Sequence, residues 1–247
     1  MQTGGKLQGE ITMQANMNRS GFISQELFQL LEEIGTIKKI EKNTYLFQEG
    51  MEANELYLIK SGMVHLHHLT MEGRELTLRI CKQHDLIGEL ILFAEHAKYI
   101  LSAKVIADGE VLMIQKDQLE RRLSSDGKLT FEFMKWYSDH VRNIQSKQKD
   151  LLLNGRKGAL YSTLIRLANS YGVEHRDGIL IDMLLTNQNL ADFCACTRES
   201  MNRMLIELRK QGILSYNHSG KIVIHDIDFL RQRNGCDSCP IEKCSIN

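Results

Sequence analysis

The chain has 247 residues, 43% of them hydrophobic, and its 31 Lys and Arg are balanced by 31 Asp and Glu for a formal net charge of +0. That length supports one large or two ordinary domains, and the neutral balance argues against wholesale non-specific binding of nucleic acid. No apolar run approaches the ~18 residues of a membrane helix, and the polar start MQTGGKLQGE lacks the apolar stretch of a secretory leader, so the expected location is the cytoplasm.

Residues 1–23 read as a polar, flexible N-terminus. From Ser24 to Ile34 the spacing predicts an amphipathic helix with Phe28, Leu31 and Ile34 inward. The period then drops to two. Short strands are expected at Tyr45–Gln48, Leu56–Lys60, Met63–Leu69, Glu75–Ile80, Val105–Ala107 and Val111–Ile114. Turns are expected at Glu49-Gly50, Ser61-Gly62, Glu72-Gly73 and Asp108-Gly109. Short strands punctuated by glycine predict a β-sandwich or small barrel over residues 24–127.

Between Thr130 and Leu153 there is neither Gly nor Pro, and Met134, Tyr137, Val141, Ile144, Gln148 and Leu151 step by three and four. That seam can pack two identical helices, so residues 128–154 are expected to be a dimerisation helix. Asn154-Gly155 breaks it and serves as a hinge. A helix over Lys157–Tyr171 opens the next segment, residues 155–233, which carries 11 Lys and Arg against 8 Asp and Glu.

Within that segment, Leu185 to Leu214 reads as two short helices joined by a tight turn. The hydroxyls of Thr186 and Thr197 can cap them by accepting from orphan N–H groups. Leu190, Ala191, Cys194, Met201, Met204, Leu205 and Leu208 fall between the helices, with Ala191 and Ala195 small for close approach. Arg198, Glu199, Asn202, Arg203 and Arg209 remain on the outer face of the second helix. An Arg fork can donate twice to guanine and a carboxylate can accept from cytosine N4. The pattern is a helix-turn-helix whose second helix enters the major groove. Thr197, Arg198, Glu199, Asn202 and Arg203 are the expected DNA contacts there, with Gln188 from the first helix.

R-E-x-x-x-R at 198–203 resembles the recognition helix of the Crp/Fnr superfamily of bacterial transcription regulators, and SYNHSGKIVI (215–224) resembles its β-hairpin wing. Upstream, FQEG, LYLIKSGMV, EGRELTL and LIGELILF resemble the β-roll of cyclic-nucleotide-binding-type sensor domains. The resemblance covers about residues 24–233. It implies an α+β fold with an N-terminal β-roll, a long dimerisation helix and a C-terminal winged helix-turn-helix. It also implies a homodimer on a palindromic DNA operator, with RNA polymerase as partner and no enzymatic activity. Arg198 and Asn202 make the reading set closer to that of Crp than of enterobacterial Fnr. TGTGA-type half-sites in an inverted repeat are therefore expected.

Cyclic-nucleotide-binding members follow a G-E-L segment with R-S-A, whose Arg pairs with the phosphate. This chain keeps Gly88-Glu89-Leu90 but has Leu101-Ser102-Ala103. A leucine cannot make that charge-assisted bond, so cyclic AMP is not an expected ligand. His65 and His67 share a strand face, as a haem or metal site would require, and are assigned no role. Cys81, Cys194 and Cys196 read as structural thiols.

The tail, residues 234–247, holds Cys236, Cys239 and Cys244 as C-x2-C-x4-C, with the chain's single proline directly after the second. Clustered thiolates suit either a tetrahedral Zn²⁺ or an iron–sulfur cluster. Placed after a wing, this spacing resembles the Bacillus-type Fnr group, anaerobic regulators with a C-terminal [4Fe-4S] cluster. The resemblance implies one cluster per subunit, held by Cys236, Cys239 and Cys244. It also implies a fourth ligand from an aspartate near the end of the dimer helix, which Asp150 matches by position. The expected function is thus an oxygen-responsive regulator that binds DNA without oxygen. The alternative is a small-molecule- or thiol-responsive member of the family with a structural zinc tail.

Overall fold

The computed structural model describes residues 23–73, 75–236 and 244–246. Expectations placed on residues 1–22 and on Cys239, and on the side chain of Leu151 in the dimer seam, lie outside the described residues. Two compact units form. One is the chain through His65 with Cys81–Val141, and the other is Leu66–Ile80 with the chain from Arg142 onward.

The first unit opens with helix α1, Gln25–Ile34, whose N-cap Ser24 accepts from the Leu27 amide at 3.3 Å. Its inward stripe is Leu27, Leu30, Leu31 and Ile34, an i, i+3, i+4, i+7 pattern. Phe28, expected inward, is half-buried and meets His84 edge-on at 5.6 Å. Strands β1 (Thr36–Ile40), β2 (Tyr45–Phe47), β3 (Glu55–Leu69), β4 (Glu75–Cys81), β5 (Leu86–Ile87) and β6 (Ser102–Gln115) make one sheet. Its order is β1-β6-β3-β4, with β2 on β6 and β5 on β3; the end of β3 from Leu66 and β4 up to Ile80 are counted with the second unit. Leu56, Leu58, Ile59, Val64 and Ile114 lie at its centre with no exposed surface.

Two expected turns are corrected. Ser61-Gly62 and Asp108-Gly109 do not reverse the chain; they lie inside the long strands β3 and β6. A Cβ on Gly62 (φ +85°) would stand 2.7 Å from the carbonyl oxygens of Ala107 and Asp108, and one on Gly109 would stand 2.1 Å from that of Ser61. These glycines permit a close approach of two backbones in mid-strand, a use of glycine that punctuation alone does not distinguish from a turn.

Helix α2 (Lys116–Ser125) follows, unforeseen because only Leu119 and Leu123 among its ten residues are buried. The long helix α3 runs Gly127–Leu153. Its stripe of Phe133, Trp136 and His140 is buried, while Phe131 and Met134 are 68% and 54% exposed. The expected seam of Met134, Tyr137, Val141, Ile144 and Gln148 runs beside that stripe, exposed or half-buried in the single chain.

In the second unit α3 ends at Asn154 (φ −103°, ψ 10°), and Gly155 takes φ +59°, a left-handed value that glycine adopts without strain. Helix α4 (Gly155–Tyr171) is buried over most of its length. Around it stand β7 (Gly172–His175), β8 (Gly178–Ile181), the helices α5 (Asn187–Phe193) and α6 (Arg198–Lys210), the wing strands β9 (Leu214–Tyr216) and β10 (Ile222–Ile224), and α7 (Ile227–Arg233). The four strands pair in the order β7-β8-β10-β9. Lys147 of α3 donates to the Leu78 carbonyl of β4 and lies 5.1 Å from the Phe193 ring of α5, so its cation joins three elements of this unit.

Candidate DNA-reading helix and metal-binding tail

Helices α5 and α6 form because their ends are satisfied locally. Thr186 Oγ1 accepts from the Asn189 amide at 3.1 Å while Asn189 Oδ1 accepts from the Thr186 amide at 3.0 Å, a closed capping box. Thr197 Oγ1 accepts from the Ser200 amide at 3.2 Å. Leu190, Ala191, Cys194, Met201, Leu205 and Leu208 are buried as the spacing requires, and Met204 is half-buried. Ala195 is corrected: it is exposed, in the turn, at φ +49°. It makes no close helix contact, and its left-handed φ is one that a Cβ disfavours.

Arg198, Glu199 and Arg203 are exposed and make no hydrogen bond or ion pair among the described residues, so their polar ends are available to a ligand. Asn202 Oδ1 accepts from Asn187 Nδ2 at 3.0 Å, and Gln188 Nε2 donates to Asp192 Oδ1 at 2.7 Å. Arg209 lies with its guanidinium 5.5 Å from the Tyr216 ring; it holds α6 to the wing and leaves the outer face to the N-terminal half of the helix. The wing turn is closed by Asn217 Oδ1, which accepts from the amides of Ser219 and Lys221 at 3.0 and 2.9 Å.

In the first unit Gly88 takes φ +85° and starts a 3₁₀ turn, Glu89–Ile91. Glu89 is buried, and its Oε1 lies 2.7 Å from His140 Nε2 of α3; the His140 ring is stacked on Trp136 at 5.2 Å. The Glu89 carboxylate is thus engaged within the protein. His67 is buried and His65 half-buried.

At the tail, the Cys236 amide donates to Arg231 O at 3.0 Å, which ties the first thiol to the end of α7. Asn234 Nδ2 donates to Cys236 Sγ at 3.4 Å, and Asn234 Oδ1 accepts from Asn154 Nδ2 at 2.9 Å, at the break between α3 and α4. Cys244 is buried, and its carbonyl accepts from Asn169 Nδ2 at 2.7 Å. The Ser245 carbonyl accepts from Arg166 Nη1 at 3.2 Å, and the Ile246 amide donates to Ser170 Oγ at 3.0 Å. Both ends of the tail are therefore fastened to this unit, the second of them to α4.

Asp150 faces the same helix: its Oδ2 accepts from Arg166 Nη2 at 2.8 Å and Ser162 Oγ at 2.6 Å. Arg166 thus joins Asp150 to the residue after Cys244. Among the described residues no three metal-ligating side chains converge; Cys239 lies outside them. Cys236, Cys244 and Asp150 are soft sulfur and one hard oxygen, donor types that suit a thiolate-bound cluster with one oxygen ligand, but they are not gathered into one set among the described residues. Sequence reading missed Arg166 and Asn169. The signal was a lone charge inside the apolar stretch Leu164–Ala168 of a helix, since charged residues are almost never buried unless paired.

Cys194 is a different kind of thiol. Burial pushes it up to about 12, and its sulfur is 3.5 Å from Thr163 Oγ1. Cys196 is also raised by burial, which outweighs the nearby Arg156. Neither thiol is activated.

Comparison with known proteins adds three findings. Residues 37–126 match the cyclic nucleotide-binding domain family and residues 158–233 match the Crp-like helix-turn-helix domain family. The chain is 60% identical over 228 residues to the anaerobic regulatory protein of Bacillus subtilis, covering 92% of this chain and 96% of that one. It is 27% identical to the lactate racemization regulatory protein of Lactiplantibacillus plantarum, over 80% of this chain and 90% of that one. Among solved structures, the c-di-GMP responsive global regulator CLP of Xanthomonas campestris has the same fold, with a TM-score of 0.70 at 21% identity over 81% of this chain and 99% of that one. FixK2 of Bradyrhizobium japonicum has a TM-score of 0.67 at 19% identity, over 81% and 98%.

Proposed function

The chain belongs to the Crp/Fnr family of transcription regulators, and from that membership we propose that it is an oxygen-responsive regulator that binds DNA under anaerobic conditions. In this reading Cys236, Cys239, Cys244 and Asp150 hold one [4Fe-4S] cluster per subunit, and a homodimer reads TGTGA-type inverted repeats with Arg198, Glu199 and Arg203. It acts in the cytoplasm on transcription by RNA polymerase and catalyses no reaction. The observation that carries the reading is the 60% identity to an anaerobic regulatory protein over nearly the whole of both chains, joined to a C-x2-C-x4-C tail in this one.

Bound there, a cluster would supply sensitivity to oxygen, which dismantles such groups. The chain's own residues supply the coupling. Cys236 is linked through Asn234 to Asn154, at the break between α3 and α4, and the residues around Cys244 are fastened to α4. Anything that holds the cysteines together therefore restrains that break and the helices that follow it. Shifting the reading heads from 1:99 to 99:1 competent requires about 5.5 kcal/mol of preference for one state, within reach of several metal–ligand bonds made only in that state. Cyclic AMP has no role: Leu101 offers no charge to its phosphate.

The experiment is iron, sulfide and zinc analysis of protein purified without oxygen, followed by gel shifts on one operator with and without air. Iron and sulfide with air-sensitive binding are expected. Stoichiometric zinc, or equal affinity in both conditions from iron-loaded protein, would refute the reading.

A further inference from the structure

Arg166 is a fully buried side chain, 1% exposed, in the middle of α4. A guanidinium cannot shed its charge in a protein, so burial demands that its donors be used. All three nitrogens donate: Nε to Ser162 Oγ at 3.1 Å, Nη1 to Ser245 O at 3.2 Å, and Nη2 to Ser146 Oγ at 3.1 Å and Asp150 Oδ2 at 2.8 Å. The partners come from α3, from α4 itself and from the C-terminal tail. Ser162 receives from Arg166 and passes its own proton to Asp150 at 2.6 Å.

Both bonds to Asp150 fall on Oδ2, and Oδ1 accepts none among the described residues. A carboxylate whose only task is to neutralise an arginine commonly takes the fork with both oxygens. Here one oxygen is gripped and the other is left available. Metal-ligating carboxylates are fixed in this manner, with hydrogen bonds from an outer shell that set their orientation. The same guanidinium grips the backbone directly after Cys244, and Asn169 grips the Cys244 carbonyl itself at 2.7 Å.

We propose that Arg166 is the positioning residue of the metal-binding site: through Oδ2 it presents Asp150 Oδ1 as a ligand, and through Ser245 it docks the tail at its last cysteine. The proposal rests on the reading above that Asp150 and the tail cysteines hold a cluster. Ser162 and Asn169 are its auxiliaries, one on each arm. Loss of the Asp150 arm frees the carboxylate to turn; loss of the tail arm frees the chain around Cys244.

The test uses the full chain, reconstituted with iron and sulfide without oxygen, as wild type, Arg166→Gln, Arg166→Lys, Ser162→Ala and Asn169→Ala. Three quantities are read: the rate of iron release to a chelator, the Mössbauer signal of an oxygen-ligated iron, and the carboxypeptidase digestion of the tail in metal-free protein. Arg166→Gln is expected to release iron about 10–100-fold faster, to lose the distinct iron signal and to expose the tail. Lysine recovers part of each, because it restores the charge without the fork. Ser162→Ala alters the iron signal and Asn169→Ala the digestion, each more mildly. Wild-type release and an unchanged iron signal in Arg166→Gln overturn the proposal. If that variant does not fold, the same result in both Ser162→Ala and Asn169→Ala overturns it. A wild type without iron and sulfide overturns the underlying cluster reading, whereas an iron-loaded Asp150→Ala protein, measured in the same way, with unchanged release and iron signal removes Asp150 from the ligands and overturns the proposal alone.

Discussion

Arg203→Ala offers the sharpest test of base reading by α6. Arg203 is exposed and makes no hydrogen bond or ion pair among the described residues, so its removal leaves no buried partner unsatisfied. Folding stability should change by no more than about 0.5 kcal/mol. If its fork engages a guanine, about 1–3 kcal/mol of discrimination is lost at that base pair, which converts to about 5- to 160-fold in Kd for each half-site engaged. The loss should be confined to one position. On an operator in which that guanine pair is replaced, wild type should weaken by a similar factor and Arg203→Ala hardly at all. A phosphate contact predicts something else: a uniform loss on every operator and a salt dependence shallower by about one ion. The assay is fluorescence anisotropy without oxygen, with each base pair of the half-site substituted in turn, at several salt concentrations and with the thermal midpoint as control. Equal losses for Arg203→Ala at every operator would refute base reading by this residue.

Four further outcomes are expected. Because burial holds the Cys194 thiol up to about 12 against an ordinary 9.0, the folded state keeps its proton longer than the unfolded one; the associated stability is complete below pH 9.0 and is lost as pH rises toward 12. Native protein at pH 8 should accordingly show Cys194 reacting with a disulfide reagent far more slowly than when unfolded, and fast labelling would contradict its burial. Calorimetry should detect no micromolar cyclic AMP affinity, because Leu101 stands where the phosphate partner is needed; binding would reverse that assignment. Met134, 54% exposed in the single chain, should be covered in a dimer, so Met134→Glu should sediment as a monomer at micromolar concentration where the metal-free parent is dimeric; an unchanged dimer would move the interface elsewhere. Cys→Ala at 236, 239 or 244 should abolish both iron binding and anaerobic DNA binding, and retention of both in any one variant would remove that residue from the ligand set.

The elements that could be read directly are those whose cause lies within a few residues. Thr186 and Thr197 cap α5 and α6 because a hydroxyl reaches the amide three residues on. The 3.6-residue period fixes which faces of these helices are apolar, and Gly155 ends the long helix because its φ of +59° suits a residue without Cβ. The exposed face with Arg198, Glu199 and Arg203 follows from the same periodicity. What tertiary structure decided depends on partners far along the chain. Gly62 and Gly109 look like turn glycines until the strands carrying them are brought together, when a Cβ on either would collide with the other strand's backbone. Ala195 looks like a small residue for helix packing until the fold sets it exposed in the turn at a left-handed φ. Arg209, one more cation on a helix face in the sequence, is claimed by Tyr216 of the wing. Arg166 is the clearest case: the sequence shows only a lone cation inside an apolar stretch of α4, and only the convergence of α3, α4 and the tail provides the four acceptors that let it stay buried. Hydrogen bonds and periodicity between near neighbours are written in sequence order, whereas the burial of a charge depends on which distant groups the fold brings within 3 Å or so of it.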